Sequence, residues 1–400
     1  MGSEMCIRDR NRLVKVLGEK LMIKIGKYTL WLSPKLPYDK KLLGDKGANL
    51  CKALEVNAPV PPGFIIISEA TKNYLEKGEF FFQELWPEIE KGLIKLEQIS
   101  GKKLGDAENP LLVSVRTSPP IVMPGILETI LNVGLNDEIT KALAKKYGDD
   151  FAYLMYLKLI YSIGKAINDE LRERFVRIID EYLTKYDIKM LAQLPIEDIK
   201  RLIEILKEEY SKIIGEDFPQ NPFEQIKLAI KIAFSSWNSE KAREYRRKNK
   251  ISNDLFPATI IMEMKFGNID ENSCAGVLFT RDPNSGENVI VGDFQIRVQG
   301  DEIVLGKIVT KKIDELRESM PRVYSDLVTH AKILERHFKD LLDIEFTVER
   351  GKVWILQVRS GKRTPIAMVK VLIDMVREGI LDEKEAILRV NTEALTQLLY

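Results

Sequence analysis

The sequence has few of the side chains on which many catalytic and metal-binding sites depend: its 400 residues include three cysteines and two histidines. Cys6, Cys51 and Cys274 are isolated and form no CxxC pair, so neither a disulfide framework nor a zinc site is expected. Because His330 and His337 are the only histidines, a histidine triad or a histidine-rich metal centre is not expected either.

An excess of either charge is also missing, as is any long apolar run. Lys and Arg number 61 against 60 Asp and Glu, and a net charge of +1 gives no drive toward nucleic acid or an anionic membrane. No apolar stretch approaches the roughly 20 residues that span a bilayer. Residues 1–10 are polar and lack a secretory core, which suggests a disordered or non-native extension. We therefore expect a cytoplasmic protein without nucleic-acid or membrane partners.

The spacing of apolar residues predicts an α+β protein with a helical block in its middle. Alternating or short apolar runs predict strands at 28–32, 64–67, 111–116, 258–265, 275–281, 288–299 and 302–309. A period of 3.6 predicts helices at 41–56, at 69–77, from there to about 99, and at 138–147, 151–186, 196–214, 223–248, 312–341, 364–378 and 382–390.

A predicted hairpin at 343–359 carries the first candidate site. A three-residue turn at 350–352 would pair 349 with 353, 347 with 355, 345 with 357 and 343 with 359. That register puts four polar residues on one face, namely Asp343, Glu345, Gln357 and Arg359. Ile344, Phe346, Val348, Trp354, Leu356 and Val358 would form the core face. Two carboxylates, an amide and a guanidinium could hold Mg²⁺ on a phosphate, and the alternative is an ordinary solvated face.

Three further segments have both a functional and a plain interpretation. The Gly44–Gly47 turn with Lys46 could receive an anion, or it could be a surface turn, since no P-loop or GxGxxG pattern is present. Arg116 ends an apolar strand, where either a phosphate or a structural carboxylate would neutralise its charge. The Pro-rich loop that follows, 117–125, could be a mobile flap or an ordinary loop. Met262 and Met264 around Glu263 could line an adenine slot or belong to a core strand.

Several segments in a fixed order resemble the ATP-binding N-terminal portion of the pyruvate phosphate dikinase family and, more distantly, phosphoenolpyruvate synthase. They read LLGDKGANL from Leu42, PVPPGF from Pro59, NPLLVSVR from Asn109, MPG from Met123, LNVGL from Leu131, KFGN from Lys265, GVLFTRDP from Gly276, DIEFT from Asp343 and LQVR from Leu356. The resemblance covers essentially 41–400 without large gaps. It implies an ATP-grasp fold of two α+β subdomains, with the nucleotide held between them and a helical subdomain inserted.

The resemblance also implies a domain division and site residues. It divides the chain into an N-terminal extension with the first strands (1–40), an N-terminal ATP-grasp subdomain (41–135), a helical subdomain (136–250), a C-terminal ATP-grasp subdomain (251–363) and closing helices (364–400). The ATP phosphates would be contacted by Lys46 and Arg116, and a phosphate would also be steadied by Arg359. The adenine side would include Met262, Glu263 and Met264. The Mg²⁺ ion would be held by Asp343, Glu345 and Gln357. Arg116 and Arg359 would be the catalytic residues.

Two departures from the family pattern shape the functional hypothesis. Nothing here matches the family's Gly-Gly-x-x-Ser-His acceptor segment, and the chain stops about where the swivelling domain would begin. Pro120 and Val122 stand where the family's flap usually has Arg and Ser. We therefore expect an ATP- and Mg²⁺-dependent kinase subunit that phosphorylates a histidine on a separate chain. The alternatives are an ATP-binding regulatory pseudoenzyme without transfer and a truncated gene product.

Overall fold

The computed structural model describes residues 23–304 and 309–391. Two predicted parts lie outside the described residues. They are the extension at 1–10, which includes Cys6, and the end of the closing segment at 364–400. The chain forms two compact units. The first comprises the residues up to Cys51, Pro62–Lys185 and Pro195–Met264, and the second comprises Lys52–Pro61, Tyr186–Leu194 and the residues from Lys265 onward.

The first unit is built on a five-stranded antiparallel sheet in the order β1-β2-β5-β3-β4. Its strands are β1 Thr29–Trp31, β2 Gly63–Ile66, β3 Val113–Ser118, β4 Thr129–Val133 and β5 Ala258–Glu263. Every residue of β2 and β5 is buried, because these strands lie inside the sheet and both of its faces are covered. That burial explains why the 258–265 sequence alternates so poorly.

Nine α-helices and a short 3₁₀ helix, Leu191–Gln193, lie between β1 and β5 in the described part of the chain. The α-helices are α1 Lys40–Leu54, α2 Ser68–Lys77, α3 Glu79–Ser100, α4 Asp137–Tyr147, α5 Asp149–Ile167, α6 Asp169–Lys185, α7 Ile196–Ile214, α8 Pro222–Ser236 and α9 Glu240–Lys248. Helices α4–α9 are inserted between β4 and β5, so the predicted helical block and the α+β class are confirmed. The single helix predicted at 151–186 is two helices, because Asn168 is extended (φ −153°) and its side chain accepts the Leu171 N–H.

The second unit contains another five-stranded antiparallel sheet, in the order β10-β9-β6-β7-β8. Its strands are β6 Cys274–Phe279, β7 Val291–Ile296, β8 Lys311–Lys312, β9 Leu342–Glu349 and β10 Lys352–Ser360. The helices after β6 are α10 Gly300–Val304, α11 Leu316–Ser319, α12 Pro321–Phe338, α13 Pro365–Arg377 and α14 Glu383–Leu388. Helix α12 contacts β9 and β10, and α13 and α14 bury a small core with Leu341.

Two predicted elements of this unit are wrong. Residues 302–304 of the strand expected at 302–309 belong to helix α10, where the Glu302 carboxylate accepts the Gln299 N–H (3.1 Å) and caps the first turn. The single helix expected at 312–341 breaks at Met320 (φ −142°, ψ 70°), because Pro321 starts a new helix and keeps the residue before it out of the helical region.

Candidate functional site

The hairpin of β9 and β10 turns more tightly than predicted. Glu349 pairs with Lys352, so the loop has two residues, Arg350 (φ 52°) and Gly351 (φ 76°). Positive φ at both positions is the requirement of a type I′ turn, whose twist matches that of the strands. The predicted three-residue turn and the pairs 349/353 and 347/355 are therefore wrong.

A β-bulge at Leu356 restores the register in the second half of the hairpin. Ile355 still pairs with Phe346, and the next pair is Gln357 with Glu345. The following pairs include Arg359 with Asp343, so both pairs expected for the polar face are confirmed. Because a slip of one residue would send a side chain to the opposite face, the bulge cancels the effect of the shorter turn.

The four polar side chains are joined in two cross-strand pairs. Gln357 Nε2 donates to Glu345 Oε1 (2.8 Å), and Arg359 Nε donates to Asp343 Oδ2 (2.7 Å). Gln357 and Asp343 are buried, at 4% and 8% exposure. Burial raises the pKa of the Asp343 carboxyl above its usual range, and the Arg359 guanidinium opposes part of that rise.

The opposite face of the hairpin is apolar, but two of its residues differ from the prediction. Ile344, Phe346, Val348 and Val358 are buried as expected. Val353 and Ile355 complete this face, because the tighter turn places Trp354 opposite Thr347 on the polar face and makes Leu356 the bulge residue. Two lysines make cation–π contacts with the Trp354 ring. The Nζ atoms of Lys265 and Lys352 each lie 4.3 Å from its centroid.

Sequence reasoning missed a carboxylate that strand β7 adds to the polar face. Asp293 of β7 pairs with Val277 of β6, which pairs with Glu345, so the three residues form one row across the sheet. Asp293 Oδ1 accepts from Lys312 Nζ (2.9 Å). Its backbone lies two strands from that of Glu345, about 10 Å at the usual strand spacing. The alternation within Val291–Ile296 was the available signal.

The donor set of the hairpin fits Mg²⁺ better than a transition metal. In the part of the chain that the structure describes, no three His, Cys, Asp or Glu side chains converge as a metal cluster. Two carboxylates and an amide carbonyl are oxygen ligands, and Mg²⁺ is usually held by one or two carboxylates with substrate phosphates and water. The residues present therefore fit a metal ion that arrives together with a phosphate ligand.

In the first unit, the glycine turn packs against the end of β3. Gly44 has φ 70° and interrupts α1, and a Cβ there would lie 1.9 Å from the Ser118 carbonyl oxygen. Ser118 Oγ accepts the Gly47 N–H (3.2 Å), and the Asp45 N–H donates to the Pro119 carbonyl (2.8 Å). The glycines thus permit a close backbone approach, and the loop after β3 uses two of the amide groups that an anion could have used.

The two cations expected to contact phosphate belong to neighbouring segments of that unit. Lys46 Nζ donates to the Thr117 carbonyl (3.3 Å), next to Arg116 on β3. Arg116 is half-buried and pairs with Ile260 of β5. Lys46 is therefore already hydrogen-bonded to the strand that carries Arg116, which brings the two cations into one region. Their contact with a nucleotide stays a prediction.

The three residues expected on the adenine side point in different directions. Met262 pairs with Ser114, which lies on the same face of β3 as Arg116. Glu263 projects to the opposite face, where its carboxylate binds Lys102 Nζ (2.9 Å). The N–H groups of Glu263 and Met264 donate to the carbonyls of Pro62 and Leu112. Any base contact at this strand would therefore have to use side chains or carbonyls rather than those two N–H groups.

A buried ion network lies at the end of β6, at the TRDP segment that the sequence left without a role. Arg281 is fully buried, and its guanidinium donates to both Glu335 of α12 (3.0 and 3.1 Å) and Glu378 at the end of α13 (2.6 and 3.0 Å). Thr280 exchanges hydrogen bonds with Leu342. The network therefore joins two helices to the strand end beside Asp343.

Comparison with known proteins identifies the family. A family model described as "Pyruvate phosphate dikinase, AMP/ATP-binding domain" matches residues 80–316 and 321–379, more than half of the chain. The chain belongs to this family. It is 41% identical over 361 residues to the chloroplastic pyruvate, phosphate dikinase of Mesembryanthemum crystallinum and 40% identical to dikinase 1 of Zea mays. It is 39% identical over 363 residues to the pyruvate, phosphate dikinase of Clostridium symbiosum.

The matches cover most of this chain but less than half of each relative. They include 90% of this chain, 38% of the two plant proteins and 42% of the bacterial one. The resemblance inferred from sequence is thereby confirmed for the nucleotide-binding portion of pyruvate phosphate dikinase. No helix formed by the described residues is both long and apolar enough to cross a membrane.

Proposed function

We propose that this chain is an ATP- and Mg²⁺-binding phosphotransferase subunit that transfers a phosphoryl group to a histidine on a separate polypeptide. The observation that carries the proposal is the register of β9 and β10, which places Glu345 opposite Gln357 and Asp343 opposite Arg359. Such a set of oxygen ligands beside an arginine suits a metal-bound phosphate. Membership of the dikinase family supports ATP as the nucleotide.

Each unit, taken by itself, carries residues suited to part of this chemistry. In the second unit, Asp343, Glu345 and Gln357 would hold Mg²⁺, which neutralises phosphate charge when bound. Arg359 is held by Asp343 through Nε, which leaves its terminal NH₂ groups outside that bond and suited to phosphate oxygens. In the first unit, Lys46 and Arg116 would contribute positive charge. Phosphoryl transfer asks little covalent chemistry of a protein, so positioning and charge would supply the catalysis.

On the nucleotide side, the proposed contacts come from the end of β5. Met262, Glu263 and Met264 belong to or follow β5, and Met262 shares its face of the sheet with Arg116 through Ser114. Met262 would therefore be the member of this group best placed to contact a nucleotide bound near Arg116. The same proposal includes the division of the chain at residues 40, 135, 250 and 363. It also includes a cytoplasmic location.

The experiment that tests the function combines binding with transfer. Isothermal titration should detect ATP binding that strengthens when Mg²⁺ is added, and γ-labelled ATP should label a candidate histidine-domain protein. Arg359→Lys is the test variant, because it keeps the charge but loses the planar fork of donors and should lower labelling. Absence of both ATP binding and partner labelling would reject the proposal.

A second candidate function, an ATP-binding regulatory protein without transfer, is favoured by the loop after β3. Pro120 and Val122 supply neither a cation nor a hydroxyl where the family pattern has Arg and Ser. Restoring both groups by Pro120→Arg with Val122→Ser should create labelling that the wild type lacks if this candidate is correct. Labelling by the wild type would reject it.

A further inference from the structure

The loop between β3 and β4, residues 119–128, is anchored at two places within the first unit. At its base, Ser118 and Pro119 bond to the glycine turn of α1, as described above. In its middle, Met123 is only 6% exposed and forms an apolar cluster with Trp237 and Ala242. The segment expected to be a mobile flap is therefore fastened at two separate places.

The surface that receives Met123 is built independently of the loop. Trp237 closes α8 and is 1% exposed. The buried Arg246 guanidinium lies 3.9 Å from the Trp237 ring centroid and donates to the Trp237 carbonyl (2.6 Å) and to Asn253 Oδ1 (3.0 Å). Ser239 Oγ caps α9 by accepting the Ala242 N–H (3.2 Å). These bonds fix the junction of α8 and α9 from within the helical block.

A lysine of α9 adds a polar contact to the loop two residues beyond Met123. Lys241 Nζ donates to the Gly125 carbonyl over 2.6 Å, and Gly125 has φ 64°. Between the base and this anchor, Ile121 and Val122 are 43% and 40% exposed. The loop therefore has a short exposed span, which is limited on one side by Pro119 and on the other by Met123.

We propose that the α8–α9 junction is a latch that sets the position of the 119–128 loop, with Trp237 and Lys241 acting as positioning residues for phosphoryl transfer. The positioning role rests on the proposed function, because it assumes that the loop acts on the transferred phosphate. A loop already held in place loses less conformational freedom when a ligand binds, so the latch would favour the reactive geometry. It would also connect the helical block to the reaction.

The latch itself can be tested without nucleotide, by amide hydrogen exchange of residues 120–127 in the full chain. Met123→Ser should speed exchange about tenfold, because it removes a buried apolar anchor. Lys241→Ala should speed it about threefold, as expected for an exposed charged contact, and Lys241→Arg should restore protection. The matched control is Lys248→Ala, which removes an exposed lysine of the same helix and should change nothing. Equal exchange in all variants would overturn the latch.

The positioning role is tested by comparing two nucleotides in the same variants. If the latch places the loop on the terminal phosphate, Met123→Ser should weaken ATP binding by up to about tenfold and change ADP binding by less than about twofold. Equal weakening of both nucleotides, or of neither, would overturn the positioning role. If the wild type binds neither nucleotide, the proposed function and the positioning role fail together, while hydrogen exchange still decides whether the latch exists.

Discussion

Gln357 Nε2 donates a hydrogen bond to Glu345 Oε1 over 2.8 Å, directly across the strand pair and one residue beyond the bulge at Leu356. An amide that donates to a carboxylate holds that carboxylate in one orientation, which is the arrangement by which metal-binding groups are usually pre-aligned. The bond therefore links the irregular pairing of the hairpin to the candidate metal site.

Replacing Glu345 by Gln should weaken the binding of Mg²⁺ with ATP about tenfold or more, because losing an interaction with a charged group costs about 1.5–3 kcal/mol. Titration with and without Mg²⁺ measures the effect. Glu349→Gln is the matched control, since Glu349 lies on the same strand face and its Oε1 accepts the Phe266 N–H, which Gln can also do. Equal Mg²⁺ dependence in both variants would argue against the site.

Gly351→Ala should lower the free energy of unfolding by about 1–2 kcal/mol, because an L-residue with a side chain is strained at φ 76°. A Cβ at Gly351 has no atom within 4 Å, so the loss would come from backbone conformation alone. Gly300→Ala is the control, because its Cβ also meets nothing and its φ is not positive. Urea denaturation should separate the two variants, and similar losses would contradict the type I′ turn.

Arg281→Met should destabilise the protein by about 3–5 kcal/mol, because it removes the guanidinium from the buried Glu335 carboxylate (2% exposed side chain) and leaves it the more distant Lys332 Nζ at 3.5 Å. Arg281→Met combined with Glu335→Met should lose less than the single variant, since the buried Glu335 charge is removed as well and the Glu378 side chain is 29% exposed. Chemical denaturation of both variants measures the difference. A double variant that is less stable than Arg281→Met would show that the pair is needed as a pair.

The stability of the protein should fall in acid partly through Glu378. Its hydrogen bonds from Arg281 are the main cause of a pKa below the ordinary 4.5. A lowered folded-state pKa stabilises the protein at pH values above the ordinary value, and this stabilisation is lost as the pH falls through the folded-state value. Urea denaturation from about pH 7 to about pH 3 should therefore show a shallower acid loss in Glu378→Gln. Glu318→Gln, at an exposed position, should keep the wild-type slope.

The elements that sequence predicted well are those whose pattern is local. Ile196–Ile214 was predicted with its observed bounds, because apolar residues recur at helical spacing and Pro195 and Gly215 flank them. The split at Asn168 and the new start at Pro321 were missed, although the Asn168 cap and the proline in the first turn signal them. Helix α10 was mistaken for a strand because a short apolar run does not distinguish the two structures.

In the candidate site, sequence placed four polar residues on one face and six apolar residues on the other from alternation alone. It correctly paired Glu345 with Gln357 and Asp343 with Arg359, but it did so with the wrong turn. Two errors of one residue each, the turn length and the missing bulge, cancelled beyond Leu356. Trp354 lies between the turn and the bulge, where the errors did not cancel, and so it was assigned to the wrong face.

By itself, the sequence determined the order of elements, the period of each and the residue types available for chemistry, because these depend on neighbours along the chain. Only the tertiary structure decided where β9 meets β10, since β9 also pairs with β6, from Val348 opposite Cys274 to Asp343 opposite Phe279. It likewise decided that Arg281 would be buried between two glutamates from helices 54 and 97 residues away. Pairing and burial depend on distant segments, whose contacts no local pattern contains.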